Sequence, residues 1–174
     1  MRTRPRVMPW CAVPLALGAL LLAGAAARAD GDSHRAAVPL APAYVQECGA
    51  CHVAYSPAWL PPRSWQRLMG GLDRHFGSDA SVEPATQAAL AAWLDAASRR
   101  AGRVREEPPQ DRLTRSARFE RQHDEVPASV WALPSVKTPA NCAVCHPRAA
   151  EGRFDDDELR LPAGADPRLR RAWH

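Results

Sequence analysis

Cysteine is scarce in this chain and, apart from one early residue, comes only in pairs. The five are Cys11, Cys48, Cys51, Cys142 and Cys145 in 174 residues. No apolar run reaches the ~20 residues that a membrane-spanning helix needs. The longest, AVPLALGALLLAGAAA from Ala12 to Ala27, has 16. No alternation of apolar and polar residues lasts long enough to predict a sheet. Only one methionine, Met69, follows residue 29. These shortages argue against a membrane-spanning chain and a β protein. They also argue against a disulfide scaffold, whose cysteines would be spread out to close loops.

The first 29 residues carry the pattern of an export signal. Arg2, Arg4 and Arg6 precede the apolar run, and Ala27-Arg28-Ala29 forms a small-x-small cleavage site. The expectation is a signal peptide over residues 1–29, cut after Ala29, releasing a protein into the periplasm with no stable membrane insertion. An uncleaved anchor is the competing reading. Cys11 precedes the run, so no lipoprotein cysteine follows it. Cleavage would remove four of the 23 basic residues and leave 19 against 19 acidic ones, so the formal net charge of +4 belongs to the precursor. A chain without excess positive charge lacks the electrostatic footprint of a nucleic-acid-binding protein.

Two stretches then share one skeleton: QECGACHVA at residues 46–54 and PANCAVCHP at residues 139–147. Cysteines two residues apart serve zinc binding, thiol redox exchange or covalent haem attachment. In an exported chain the default for four cysteines is two disulfides, yet a disulfide requires no histidine directly after each pair. A four-cysteine zinc site has no need of that histidine either, and thiol exchange would use one such motif rather than two. Haem attachment accounts for every element. Each cysteine sulfur adds to a porphyrin vinyl group, and the adjacent histidine sits under the iron as its proximal ligand. The prediction is two covalently bound haem c groups, on Cys48, Cys51 and His52 and on Cys142, Cys145 and His146.

The 145 residues left after cleavage give about 72 to each macrocycle, too few for a large core. The porphyrins should therefore be the centres around which helices pack. The expected fold is mainly α, a small two-lobed helical c-type cytochrome with long proline-rich loops. Residues 30–105 form the N-terminal haem lobe and 106–174 the C-terminal haem lobe with a polar tail; the charged, proline-rich AGRVREEPPQ lies at the boundary.

Helices are predicted from about Pro42 into the first motif, from an N-cap at Ser64 to Gly77, and from Glu83-Pro84 to about Arg100. Another is predicted near Thr114 to Glu125, and a short one carrying the second motif. In the third helix Leu90, Trp93, Leu94 and Ala97 recur at the spacing of a buried face. The tail beyond Pro147 reads as polar and irregular.

A six-coordinate iron needs a second axial ligand. His34 and His174 lie near chain ends, which are commonly mobile. His75 follows Leu68 and Leu72 at i, i+4, i+7, and His123 follows Phe119 by four, so both face the core. Met69 is the rival ligand, but on one helix it would point away from His75. His75 lies 23 residues after His52 and His123 lies 23 before His146. Local closure, which costs less chain entropy, pairs His75 with His52 and His123 with His146; crossed ligation is sterically open as well.

The segments YVQECGACHVAY, PPRSWQRLMGGLDRHFG, ATQAALAAWL, RFERQHDEVP and VKTPANCAVCHPRAAEGRFDDDELRLP resemble the bacterial dihaem cytochrome c family. The resemblance runs from Tyr44 to Pro162 and leaves only AGADPRLRRAWH outside. It implies a two-lobed periplasmic protein with two bis-histidine haems, whose axial ligands are His52, His75, His123 and His146. It also implies redox partners, a membrane cytochrome b and a small oxygen-binding cytochrome c. Iron closed by imidazole on both sides favours electron relay at low potential over catalysis. A dihaem redox enzyme or ligand-sensing haem protein, with one displaceable axial ligand, is the alternative.

Among the other residues singled out, the arginines between Arg99 and Arg121 read as a solvated face, with one or two available to haem propionates. Asp155 to Glu158 reads as a solvated loop or a docking patch. Trp59, Trp65, Trp93 and Trp131 read as packing bulk.

Overall fold

A computed structural model of the chain describes residues 38–102 and 104–171. The expected signal peptide, His34 and His174 lie outside the described residues. Proline opens three helices: Pro42, Pro62 and Pro84 sit at the first helical position, where a missing N–H costs nothing. These helices are α1 (Pro42–Cys48), α2 (Pro62–Met69) and α3 (Pro84–Ala101). Farther on come α4 (Ala117–Gln122) and α5 (Ala128–Trp131), linked by short 3₁₀ turns. Among the described residues there is no β-strand, only an isolated bridge between His75 and Ser78. The fold is mainly α, as composition and pattern predict.

The helix α3 organises the N-terminal half. The Glu83 carboxylate accepts the free N–H groups of Ala85 and Thr86 at its start. Gly102, at φ +61°, ends it in the left-handed conformation. Leu90, Leu94 and Ala97 are buried along one face, with Trp93 half-buried. Leu90 and Leu94 join Tyr44, Leu60, Trp65 and Met69 in one core cluster, where burial of each large side chain contributes about 1.5–3 kcal/mol. Met69 is packing bulk here, 5% exposed.

Three helices depart from expectation. The one predicted from Ser64 to Gly77 begins at Pro62 and stops at Met69, and Ser64 is buried inside its first turn rather than capping it. Consecutive glycines at 70 and 71 lack the side-chain restraint that keeps a backbone helical; a separate 3₁₀ turn, Leu72–Arg74, follows. Leu68, Leu72 and His75 therefore do not share one helix face. The helix predicted near Thr114 to Glu125 divides at Ser116, whose buried hydroxyl caps α4 by accepting from the Phe119 N–H. The second motif occupies a 3₁₀ turn, Cys142–Val144, rather than the predicted helix, and Pro147, three residues past its end, keeps it from extending.

The segment after Pro147 is also more ordered in its packing than its polarity indicates. Ala149 and Pro162 are buried, and the Arg160 N–H donates to the Cys145 carbonyl at 2.9 Å. Contacts cross residues 105/106. Tyr55 Oη donates to the Ala140 carbonyl at 3.0 Å. The Trp59 and Phe154 rings meet edge to face at 4.9 Å. Arg67 bonds both oxygens of Asp111, at 2.6 and 2.8 Å, and Glu107 at 2.7 Å.

Candidate functional site

The first motif is laid out by α1. Tyr44, buried, meets the Trp65 and Trp93 rings and donates its hydroxyl to the Tyr55 carbonyl at 2.9 Å. That fixes both flanks of the loop carrying Cys48, Cys51 and His52. Gly49 is required where the chain leaves the helix, since a Cβ there would lie 2.2 Å from the Val45 carbonyl oxygen. The second motif is held by the Cys142–Val144 turn, with the His146 N–H on the Cys142 carbonyl at 2.8 Å.

The four histidines predicted as ligands come together as two pairs. The ring centroids of His52 and His75 are 6.2 Å apart, and those of His123 and His146 are also 6.2 Å apart. An imidazole nitrogen keeps ~2.0–2.1 Å from a bound transition metal such as zinc, and its ring centroid lies about 1.1 Å farther on. Two imidazoles on opposite sides of one metal thus stand about 6.3 Å apart by that bond length. Both separations match that spacing, and the rings that lie together are those of His52 with His75 and of His123 with His146.

Second contacts orient two of the rings. His52 Nδ1 lies 2.7 Å from the Val53 carbonyl and His123 Nδ1 lies 2.8 Å from the Phe119 carbonyl. A proton on Nδ1 bonded to a carbonyl leaves Nε2 free as a ligand and raises its basicity. His75 Nδ1 and His146 Nδ1 are buried without a partner. Burial lowers the pKa of His75, His123 and His146, with the His52 and Arg112 charges adding to the shift at His75. The imidazoles are thereby kept in the neutral form that binds metal.

The four thiols are partly buried or exposed within the two motif loops. None of the four forms a disulfide. Among the described residues no three His, Cys, Asp or Glu converge to hold an ion by themselves. Burial, with the nearby Glu47 carboxylate, pushes the Cys48 thiol up to about 11, and burial raises Cys142 and Cys145 as well. Thiols so shifted are poor in thiolate at neutral pH, which disfavours spontaneous exchange.

Aromatic rings crowd these sites, and sequence reasoning does not mark Tyr55, Phe76 or Phe154. The Tyr55 ring stacks on His52 at 4.7 Å. Phe154 lies 5.2 Å from His146. Phe119 stacks on His123 at 4.0 Å, with Trp131 at 5.8 Å on the same imidazole. Phe76 is tilted against His75 at 4.8 Å. Adjacency would have marked Phe76; no local signal marks Phe154, whereas Phe119 is reached through its four-residue step to His123.

The charged segments resolve into internal pairs. Arg148 bonds Glu151 and Glu158, and Arg153 bonds Asp155 and Glu158. Much of the acidic run is thus neutralised within the chain. Arg112 lies over the Phe76 ring at 4.3 Å. Among the described residues no helix is long and apolar enough to cross a membrane.

Comparison with known proteins agrees with this geometry. The family described as dihaem cytochrome c matches residues 44–154. The crystal structure of the diheme cytochrome type c from Shewanella baltica OS155 is similar with 33% identity and a TM-score of 0.62, covering 72% of this chain and 96% of that one. The crystal structure of DHC purified from Rhodobacter sphaeroides is 38% identical, with a TM-score of 0.57 over 67% of this chain and 99% of that one. A further Rhodobacter sphaeroides diheme cytochrome c structure is 37% identical, with a TM-score of 0.59 and coverage of 68% and 100%. No curated protein sequence matches significantly.

Proposed function

We propose, from the premise that this chain belongs to the dihaem cytochrome c family and carries two covalently bound haem c groups, that it relays electrons in the periplasm. The donor would be a membrane cytochrome b and the acceptor a small oxygen-binding cytochrome c. The observation that carries the reading is the equal 6.2 Å spacing of the two histidine pairs.

Each residue has a role in that reading. Cys48 and Cys51 would hold one porphyrin by thioether bonds, with His52 and His75 as its axial ligands. Cys142 and Cys145 would hold the other, with His123 and His146. The haems supply a one-electron iron couple; the chain supplies its environment. His52 and His123, oriented by the Val53 and Phe119 carbonyls, act as strongly donating imidazoles that stabilise ferric iron and lower the potential. Tyr55, Phe119, Trp131 and Phe154 hold the imidazole rings in place and exclude water from them. The second site, where Phe119 and Trp131 hold the His123 ring in position, would change little when its charge changes, which suits relay better than substrate turnover. Cleavage after Ala29 would deliver the chain to its compartment, and the halves on either side of 105/106 would each enclose one haem.

Mass spectrometry and a redox titration followed by optical and paramagnetic resonance spectra test this reading. The expected result is two added haem masses and two reversible one-electron steps at low potential, with both irons low-spin when no ligand is added. A single haem, or a resting high-spin iron, overturns it.

A further inference from the structure

The two distal histidines are held in very different ways. His123 ends α4, with its Nδ1 on the Phe119 carbonyl at 2.8 Å and its ring against both Phe119 and Trp131. His75 opens a tight turn, closed by the Ser78 N–H on its own carbonyl at 3.1 Å. The two central residues of that turn both have positive φ, Phe76 at +53° and Gly77 at +97°. Such turns favour Asn-Gly or Asp-Gly at their centre; a bulky side chain in the first position is strained. Glycine at 77 is well placed, phenylalanine at 76 is not. His75 Nδ1 is buried without a partner, and Phe76, its aromatic neighbour in the turn, is 42% exposed.

Space adjoins this loosely held ligand. A cleft of about 230 Å³, open to solvent, is lined by His75 with Arg67, Leu68, Gly71, Arg74 and Phe76; Cys48, Cys51 and His52 take no part in its lining. Its lining also includes Gln110 and Asp111, themselves at positive φ of +58° and +55°. Strained residues thus converge on one ligand and one cleft, as they do where a fold is built to change state. Gly70 and Gly71 separate the segment from α2, so it can move without unwinding that helix.

We propose that His75 is the displaceable ligand of this protein, and that its position on the first iron is a binding site for a neutral diatomic molecule of the carbon monoxide or nitric oxide class. The inference rests on the reading that His52 and His75 share an iron. A neutral ligand leaves the surrounding ion pairs undisturbed, Arg67 with Asp111 and Glu107 and Arg74 with Asp73. In the exchange the ferrous iron–imidazole bond to His75 breaks and an iron–carbon bond to carbon monoxide forms. No electron or proton is transferred, and the neutral imidazole moves into the cleft.

The test is carbon monoxide stoichiometry on the anaerobic, dithionite-reduced dihaem protein, read by visible absorption and the infrared C–O stretch. The parent protein is expected to bind one carbon monoxide slowly, His75→Ala one rapidly, and His123→Ala two. No binding by the parent protein overturns the inference while leaving the relay reading, which asks only for two low-spin haems without added ligand. Two bound by His75→Ala with one by His123→Ala would place the labile ligand on the other haem and equally overturn it. If His75→Ala left both irons low-spin, the shared iron itself would be refuted. Phe76→Gly, which removes the strain, is expected to slow binding by the parent protein's haem roughly tenfold, the scale of a modest change in barrier. Unchanged or faster binding would refute the role of the turn.

Discussion

At the scale of single residues, the two histidine pairs share a spacing but not an orientation. The His52 and His75 ring planes differ by 21°, and those of His123 and His146 by 77°. Nearly parallel imidazoles split the iron dπ orbitals, whereas nearly perpendicular ones leave them almost degenerate. The oxidised protein is therefore expected to show two low-spin paramagnetic resonance signals of equal weight, one fully rhombic and one with a single low-field feature. His75→Ala should abolish the rhombic signal alone; two identical signals would contradict the geometry. The residues of the motifs were legible because cysteine chemistry fixes their spacing locally. His75 was reached by elimination, and the helix face invoked for it does not exist, since the chain breaks at Gly70. His123 was read on sounder ground: the four-residue step from Phe119 survives, and that carbonyl is what orients its ring.

At the scale of elements, α3 was the most legible because three local signals agree on it: Pro84 at the start, apolar residues at helical spacing, and Gly102 at the end. Leu94 is wholly buried on it, so Leu94→Ala is expected to cost about 2–5 kcal/mol in denaturant unfolding. Glu83→Ala removes the acceptor for two N–H groups and is expected to cost about 1 kcal/mol. A Leu94→Ala protein as stable as the parent would show that the core does not rest on this face. Shorter elements were less legible. The second motif closes into a 3₁₀ turn that no periodicity marks, and a single residue, Ser116, decides where α4 begins. Such boundaries are set by one hydrogen bond rather than by periodicity.

At the scale of the whole molecule, what joins the halves could not be read from sequence, because it depends on pairs such as Tyr55 and Ala140, 85 residues apart. Tyr55→Phe removes that hydrogen bond and keeps the ring on His52; unfolding is expected to show a loss of about 1 kcal/mol. The ion pair across the same junction has a defined pH dependence. Hydrogen bonding from Arg67 holds the Asp111 carboxyl below its ordinary range. Its stabilising contribution is present above that range, about pH 4, and is lost as pH falls through the depressed value. Asp111→Asn is thus expected to be slightly less stable than the parent at neutral pH, and the gap in melting temperature should close in acid. A gap that widened on acidification would contradict the pairing.

The packing of Trp59 against Phe154 sets a limit on how the gene can be divided. Expressed as separate polypeptides cut between 105 and 106, the fragments would each present a wet aromatic surface that the intact chain keeps covered. They would be expected to stick to one another or to precipitate, so this cytochrome cannot be recombined as two interchangeable single-haem cassettes.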